Sequence, residues 1–268
     1  MFFGLAQMLS IDAEQDAAFG RSLVQFLRTL ARFDNCVVFA YRGAASPLDL
    51  FHTFTPPQHH VHVTLYQPGP YLLDPFFQAA RERRLGFWRM RELAPDHFTQ
   101  SDYFRSYYRD AGLAEEVGFF VATDPGTVVV LSLMRLKTSG SFSKTEVDTL
   151  RSCEPTVRAV LARHWSRVGD RFTMGEALAS LSGRPRPARL RPADLSAWRR
   201  LGLTGREAAI VDLVLQGHSS ESAAGHLAIA PGTVKVHRRN VYRKLGISSQ
   251  AELLATYVER IVGRGMTA

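Results

Sequence analysis

The sequence predicts an α+β protein of two domains, an N-terminal α-β-α layer domain followed by an all-α domain of four helices. Three observations predict it. Strand-like runs alternate with amphipathic helices in the first part, the last part has only helical periodicity, and an Arg- and Pro-rich segment separates the two. A length of 268 residues suits one large or two ordinary domains. We therefore divide the chain into residues 1–165, a linker over 166–200 and residues 201–268.

The first domain is predicted to hold one sheet. Apolar residues spaced as Phe19, Leu23 and Phe26 indicate a first helix over 8–32. Residues 58–67 are ambiguous. The other predicted elements, in chain order, are strands at 36–41 and 48–54, a helix at 75–84, a strand at 85–91, a helix at 95–111, strands at 117–122 and 127–136, and a helix at 143–165. This order predicts an antiparallel sheet of about five strands with helices on its faces, a sensor-like layer of the PAS/GAF kind.

The linker differs from both domains in composition and charge. Residues 183–192 nearly alternate Arg and Pro, which excludes a helix or a central strand and favours an extended tether. The three segments carry net charges of zero, +5 and +3. A neutral front and a basic back predict a polyanion as partner of the second domain. The linker either tethers only or also touches phosphate.

Other classes of protein are disfavoured. Two lone cysteines, Cys36 and Cys153, predict no disulfide framework and fit the cytoplasm. The apolar start soon meets acidic residues and no run approaches about 20 apolar residues, so we expect neither a signal peptide nor a membrane span. No Ser-His-Asp order, glycine-rich phosphate loop or zinc-hydrolase motif is evident, so we expect no enzyme and no cofactor. His59, His60 and His62 favour a polar loop over a metal site.

The C-terminal part contains a helix-turn-helix pattern. Thr204 and Glu207 form a capping box that opens a helix ending at Gly217. Further helices are predicted over 219–227, 233–245 and 249–262, with a turn containing Pro231 before the third. A short helix, a tight turn and a second helix have the spacing of a DNA-reading motif.

The third helix of this part has two distinct faces at 100° per residue. Its inward face is apolar, with Val234, Val241 and Leu245. The opposite face is mostly cationic, with Lys235, Val236, Arg239 and Arg243. An apolar anchor with a projecting cationic face is what a major-groove reader needs.

Residues 203–255 resemble the C-terminal DNA-binding domain of the LuxR family. The Leu-Thr-x-Arg-Glu opening, the Thr-Val-Lys-x-His core and the Lys-Leu-Gly end occur in order, while Ala230 stands where the family usually has a capping Ser. The resemblance implies that Lys235, Val236 and Arg239 meet base edges of double-stranded DNA. It also implies further DNA-binding and dimer positions. They are Thr233, His237, Arg243 and Lys244 for phosphate contact or helix positioning, and Ala251, Leu254 and Val258 for a homodimer on an inverted-repeat site.

The first domain resembles the autoinducer-binding domains of the same family in a series of aromatic residues and one Asp. Tyr66, Tyr71, Asp74 and Trp88 carry the resemblance, and His62 stands where the family has a Trp. It implies that Asp74 anchors a quorum-sensing ligand and that Tyr66 and Trp88 wall the pocket. Because His62 replaces the family's Trp, the head group of that ligand is either a homoserine lactone or a different group. Asp74 is alternatively a helix N-cap, and the aromatic residues are alternatively core.

Two functions remain open. One is a transcriptional regulator controlled by a small organic ligand. The other is a ligand-independent regulator whose first domain only dimerises or docks a protein. A cavity of about 300 Å³ lined by Tyr66, Asp74 and Trp88 would favour the first, and a solid core the second. Glu115 and Glu116 are either surface charges or, with Asp74, complements of a cationic amine.

Overall fold

The first domain is built on one antiparallel sheet. The computed structural model describes residues 8, 10–43, 45–67, 70–109, 111–181, 195–257 and 259, and within them not the side chains of 102, 106, 175–181 and 195–197. The strands are β1 Asn35–Arg42, β2 Leu48–His52, β3 Gly86–Arg89, β4 Leu113–Asp124 and β5 Thr127–Leu136. Their order in the sheet is β2-β1-β5-β4-β3, and every pair is antiparallel. The predicted α+β fold class, with about five antiparallel strands, is confirmed.

Helices and helical turns cover both faces of this sheet. The helices are α1 Asp16–Arg28, α2 Pro56–His59, α3 Pro75–Arg81, α4 Met90–Leu93, α5 Asp102–Phe104, α6 Lys144–Ser152, α7 Glu154–His164 and α8 Val168–Leu181. The tighter or wider turns are the 3₁₀ segments Pro70–Leu73 and Phe98–Gln100 and the π-helical segments His60–Thr64 and Arg105–Arg109. Of the ambiguous residues 58–67, residues 58–64 are therefore helical and 65–67 form a turn.

The sheet separates two apolar cores because side chains alternate along each strand. Val38 and Ala40 of β1 face the core formed with α1, α6 and α7. Val37 and Phe39 face the other way, toward α3 and the helical turns. The candidate ligand site lies in this second core.

Two predicted helices are broken in the structure. The predicted helix over 95–111 is interrupted at Ser101, whose hydroxyl donates to Phe98 O at 2.7 Å and accepts from Phe104 N at 3.1 Å. A side chain that satisfies local backbone groups in this way competes with a continuous helix. The predicted helix over 143–165 divides at Cys153 into α6 and α7, since Pro155 has no N–H with which to continue it.

The first domain extends beyond the expected boundary at residue 165. Val168 and Phe172 of α8 are buried in the core with α1 and α7. Gly169 N donates to Asp124 Oδ2 at 2.8 Å, and Arg42 donates to Gly169 O at 2.7 Å. The start of the expected linker is thus helical and packed, whereas its Arg- and Pro-rich part, 183–192, lies outside the described residues.

The second domain contains the four predicted helices, here α10 Gly205–Gln216, α11 Ser220–Leu227, α12 Pro231–Leu245 and α13 Gln250–Tyr257. A further helix, α9 Leu195–Arg200, precedes them and buries Trp198, whose ring stacks on Tyr257 with centroids 6.1 Å apart. Nowhere in the described ranges does a helix have the length and apolar character needed to cross a membrane.

The two domains touch through the loop before the 3₁₀ segment Phe98–Gln100. His97 N donates to Gly217 O at 3.0 Å, and Ser219 N donates to Asp96 Oδ1 at 3.0 Å. Gly217 ends α10 and Ser219 begins α11, so the first domain holds the corner between two helices of the helix-turn-helix region.

Candidate nucleic-acid interface and ligand cavity

The turn between α11 and α12 sets the direction of the third helix of the motif. Ala228 ends α11 in the left-handed conformation, with φ 51°, and Pro231 occupies the first turn of α12. As the sequence predicts, Ala230 supplies no side-chain cap. Val234 and Val241 are fully buried, so this face of α12 is anchored in the domain core.

The opposite face of α12 is exposed, as the helical projection predicts. Lys235, Val236, Arg239 and Arg243 all lie in solvent. Val236 is 51 % exposed, although it is a large apolar side chain. An apolar side chain between cations suits a major groove, where a thymine methyl group lies beside the hydrogen-bonding edges of guanine.

Lys244 is turned away from this face. Its Nζ donates to Glu207 Oε2 at 2.7 Å and to Gly202 O at 3.3 Å. Burial by itself raises the pKa of Glu207, but hydrogen bonds from Lys244 and Thr204 hold that pKa below its ordinary value. The Lys244 ammonium thus compensates a buried carboxylate, and its expected contact with DNA stays a prediction.

The other predicted positions of this domain are divided. Thr233 is exposed at the start of α12, while His237 is half-buried and its Nδ1 has no hydrogen-bond partner among the described residues. Ala251 is exposed on α13 and Leu254 is partly buried against the core. Val258, the third expected dimer position, lies outside the described residues.

The first domain contains a small cavity between the sheet and the helical turns. Its volume is about 40 Å³, and its walls include three of the predicted ligand residues, His62, Tyr66 and Asp74. Tyrosine rings make up much of the remaining wall. They are Tyr41, Tyr103, Tyr107 and Tyr108.

Asp74 is the helix N-cap considered for it and also lines the cavity, while its role as a ligand anchor stays a prediction. Its Oδ1 accepts from Phe76 N at 2.7 Å, which caps α3, and its Oδ2 accepts from the Tyr66 hydroxyl at 2.7 Å. The Tyr41 and Tyr66 hydroxyl oxygens are 3.0 Å apart, so Tyr41 donates to Tyr66 and the three form a chain. Burial raises the pKa of Asp74, although its two hydrogen bonds lower it.

Glu116 is the second carboxylate of the cavity. It is 5 % exposed, its Oε2 accepts from the Tyr108 hydroxyl at 2.6 Å, and Ser132 also donates to it. Burial, and then the neighbouring charge of Asp74, raise its pKa. No lysine or arginine is among the described residues that line the cavity, and burial lowers the pKa of His62 to about 4, which keeps that ring neutral near pH 7.

Glu115 takes no part in the cavity. Its carboxylate accepts from the Arg89 guanidinium, with Nε at 2.8 Å, and from Phe142 N at 2.8 Å. Glu115 is thus a residue of β4 that is ion-paired with Arg89 of β3. Of the two adjacent glutamates only Glu116 lines the cavity, because successive residues of a strand point to opposite faces, whereas Glu115 borders the surface groove described below.

Tyr71 and Trp88 are not cavity walls, which corrects two ligand-binding assignments. Tyr71 is buried edge-to-face on Phe77, with centroids 4.9 Å apart. Trp88 lies on β3, the edge strand, where its Nε1 donates to Arg84 O and its ring lies under the Arg84 guanidinium at 4.8 Å. The cavity is also far below the roughly 300 Å³ that would favour a ligand-controlled regulator, so its size alone favours the ligand-independent alternative.

A larger surface groove lies behind the cavity. Its volume is about 410 Å³, and it is lined in part by Phe98 and Phe104. The cavity and the groove share Tyr108, Leu113 and Glu116 as walls. The groove therefore adjoins the cavity at Glu116, one of the two buried carboxylates.

Comparison with known proteins identifies the family. The model of the bacterial regulatory proteins of the luxR family matches residues 201–256. An HTH-type transcriptional regulator of the exeN 3′ region of Aeromonas salmonicida is 30% identical over 193 residues, which are 70% of this chain and 95% of that protein. The chain belongs to the LuxR family of bacterial regulatory proteins.

Solved structures match this LuxR-family chain over different lengths. The crystal structure of the VqsR LBD domain from Pseudomonas aeruginosa superposes with a TM-score of 0.52 and 25% identity, covering 61% of this chain and 94% of that one. Escherichia coli SdiA gives a TM-score of 0.46 and 15% identity over 96% of this chain and 95% of its own. The family is one of transcription regulators, and the exposed face of α12 is part of its DNA-binding domain.

Sequence reasoning missed several cavity residues of this LuxR-family protein. Tyr41, Tyr103, Tyr108 and Ser132 come from four separate segments, and a one-dimensional pattern carries no signal that they meet. Glu116 was not missed, since the sequence already suggested it, together with Asp74, as a candidate complement of a cationic amine.

Proposed function

We propose that this protein is a sequence-specific transcriptional regulator whose DNA affinity is set by a small organic ligand bound between Asp74 and Glu116. The ligand head group is a cationic amine. The regulator acts in the cytoplasm as a homodimer on an inverted-repeat site, with residues 1–165 and α8 as sensor, the following segment as linker and residues 201–268 as reader.

One observation carries the ligand assignment. Two carboxylates, Asp74 and Glu116, are buried in a single cavity, and no lysine or arginine is described in its wall. Burying a charge without a partner costs several kcal/mol, so such a pair either stays protonated or receives a cation. Tyrosine rings around both carboxylates favour the cation, because their faces attract positive charge.

The size of the cavity limits what enters it. A volume of about 40 Å³ holds an amine head group but no acyl chain. We expect the remainder of the ligand to lie in the adjoining groove, which shares Tyr108 and Leu113 as walls with the cavity. The likeness of the first domain to the VqsR LBD domain supports a ligand-binding role for this side of the sheet.

Ligand control of DNA binding follows if the ligand prefers one arrangement of the two domains. Asp96 and His97 bind the α10–α11 corner and stand next to Phe98, a wall of the groove. A ligand that occupies the groove therefore acts one residue away from the contact between the domains.

Mass spectrometry of the full-length protein purified from its host tests the proposal. We expect a basic amine to copurify, to change the DNA affinity when added back, and to bind Glu116→Gln at least tenfold more weakly. Glu146→Gln is the matched control, because Glu146 is paired with Arg135 and lines neither the cavity nor the groove.

The outcomes are separable. A neutral ligand that still changes DNA affinity contradicts the amine but keeps ligand control. A protein that carries no small molecule, and whose DNA affinity no extract of the host changes, contradicts ligand control. The first domain is then the dimerisation or docking module of a ligand-independent regulator.

A further inference from the structure

A second group of polar side chains lies on the edge strand β2 and the adjacent helix α2, apart from the carboxylate cavity. Asp49 and His52 belong to β2, and His59 is the last residue of α2. One carboxylate oxygen of Asp49 and one ring nitrogen of each histidine all lie within 4.8 Å of one another. Two imidazoles and a carboxylate are ligands that zinc and other first-row divalent metals prefer.

A β-bulge brings the two strand residues to the same face. In a regular strand, residues three apart point to opposite faces. Here Val37 pairs with His52, whereas Phe39 pairs with Asp49, so Leu50 is an extra residue in β2. Asp49 and His52 consequently project to the same side of the sheet as Val37 and Phe39.

The third member is fixed by the start of α2. Thr55 N donates to the Gln58 side-chain oxygen at 3.0 Å, the reciprocal bond of a capping box. This box sets the direction of the four-residue helix and returns His59 toward β2. The His52 and His59 ring centroids are 4.6 Å apart.

The distances within this group fit metal ligands better than a hydrogen-bonded cluster. The Nε2 atoms of His52 and His59 lie 3.8 and 3.6 Å from Asp49 Oδ2, beyond hydrogen-bonding range. Two ligands bound tetrahedrally to one zinc ion at 2.0–2.2 Å are about 3.3–3.6 Å apart. Asp49 Oδ1 and His52 Nδ1 are buried and have no hydrogen-bond partner among the described residues.

We infer that Asp49, His52 and His59 form a binding site for a divalent transition metal, with zinc as the expected ion. The side chains are 19–37 % exposed, so the ion enters directly from solvent and water completes its coordination. This site does not depend on the ligand proposed for the carboxylate cavity.

The metal site is one aromatic ring away from that cavity. Phe54 stacks on His52 with centroids 5.7 Å apart and on His62 with centroids 4.8 Å apart. His62 lines the cavity. Metal binding fixes His52 and thereby the stack that supports this wall.

Calorimetric titration of chelator-treated full-length protein with zinc chloride tests the site. We expect one ion per chain with a Kd below about 10 μM, and a rise in the thermal midpoint of the chain. His52→Ala and His59→Ala each weaken binding at least tenfold, and the double variant abolishes it. Added Co²⁺ produces visible absorption that the double variant lacks.

His60→Ala and His226→Ala are the matched controls. His60 is an exposed neighbour, and His226 belongs to a separate histidine pair with His218 in the second domain. Binding that the His52 and His59 variants retain, or that only His226→Ala removes, contradicts the site, as does binding no tighter than about 100 μM. Far-UV circular dichroism and DNA binding of each variant report whether it is folded.

Discussion

A Cβ atom placed on Gly217 would lie 2.8 Å from the Cα of Phe98, in the other domain. Gly217 also ends α10 with φ 97°, a conformation that favours glycine. Gly217 thus ends a helix of the second domain and permits the close approach of the first domain. The two domains are coupled by backbone shape as well as by the hydrogen bonds of His97 and Ser219.

Gly217→Ala is expected to separate the domains. The added methyl group clashes with the Phe98 backbone, which cannot move without shifting its 3₁₀ turn. Hydrogen exchange at the His97 and Ser219 amides, both of which donate across the contact, should accelerate. Gly246→Ala is the control, because Gly246 ends α12 with φ 67° and has open space around it. Unchanged protection of both amides in Gly217→Ala would contradict the docking.

Arg239 lies on the exposed face of α12, and the family resemblance implies that it contacts a base edge. On that basis Arg239→Ala is expected to weaken specific DNA binding by about 1–3 kcal/mol, a factor of roughly 5–150. Quantitative footprinting on the operator and on random DNA measures the loss. Arg238→Ala removes an equal charge from a half-buried side chain that packs on Tyr242, so it should lower both affinities alike. If Arg239→Ala leaves the ratio of specific to random binding intact, Arg239 reads no base.

Lys244→Ala is expected to destabilise the second domain by about 1–3 kcal/mol, because it leaves the Glu207 carboxylate buried without its cation. The value is below that of a fully buried pair, since Lys244 is about one-third exposed. Lys235→Ala should stay within about 0.5 kcal/mol, because its contact with Glu221 is exposed, yet it should weaken DNA binding. Urea unfolding and DNA titration distinguish the two. A stable Lys244→Ala with poor DNA binding would favour Lys244 as a DNA contact instead.

Asp74 and Glu116 are expected to lower the stability of the ligand-free protein as the pH rises from about 5 to about 8. His62 and His218, whose pKa burial lowers to about 4, act in the opposite direction below about pH 6.5. The folded state holds protons on Asp74 and Glu116 at pH values where the unfolded carboxyls, with pKa near 4, have lost them. The unfolded state then binds fewer protons at these two groups, so their contribution to the free energy of unfolding decreases as the pH rises through this window. One proton bound differentially is worth about 1.4 kcal/mol per pH unit.

Glu116→Gln should remove the Glu116 contribution to this pH profile and stabilise the protein at pH 8, since the amide is neutral at every pH. Glu115→Gln should destabilise at both pH values by weakening the bond with Arg89. Urea unfolding at pH 5 and pH 8 measures each effect. A difference in the free energy of unfolding between the wild type and Glu116→Gln that is the same at pH 5 and pH 8 would show that Glu116 carries no excess proton, because both proteins contain His62 and His218.

Patterns within one segment predicted their structures well. The capping box of Thr204 and Glu207 is formed, and the two faces of α12 are buried and exposed as the helical projection requires. Such features depend on residues three to seven positions apart, which the helix itself brings together. The antiparallel sheet was predicted for a similar reason, since its longest strands are joined by the turn at Gly126.

Contacts between distant segments were not predictable in the same way. Nothing in the local sequence pairs Lys244 with Glu207, 37 positions away. Trp88 looks like a pocket wall until β3 is placed at the sheet edge. The cavity depends on strand register and on turns that meet across the sheet, and burial then sets the pKa values of Asp74 and Glu116. Local periodicity and charge thus predicted a helix-turn-helix domain with a cationic face, and the motifs of residues 203–255 carried the resemblance to the LuxR family. The environment of each buried polar group was decided only by the tertiary structure, because desolvation depends on neighbours that are remote along the chain.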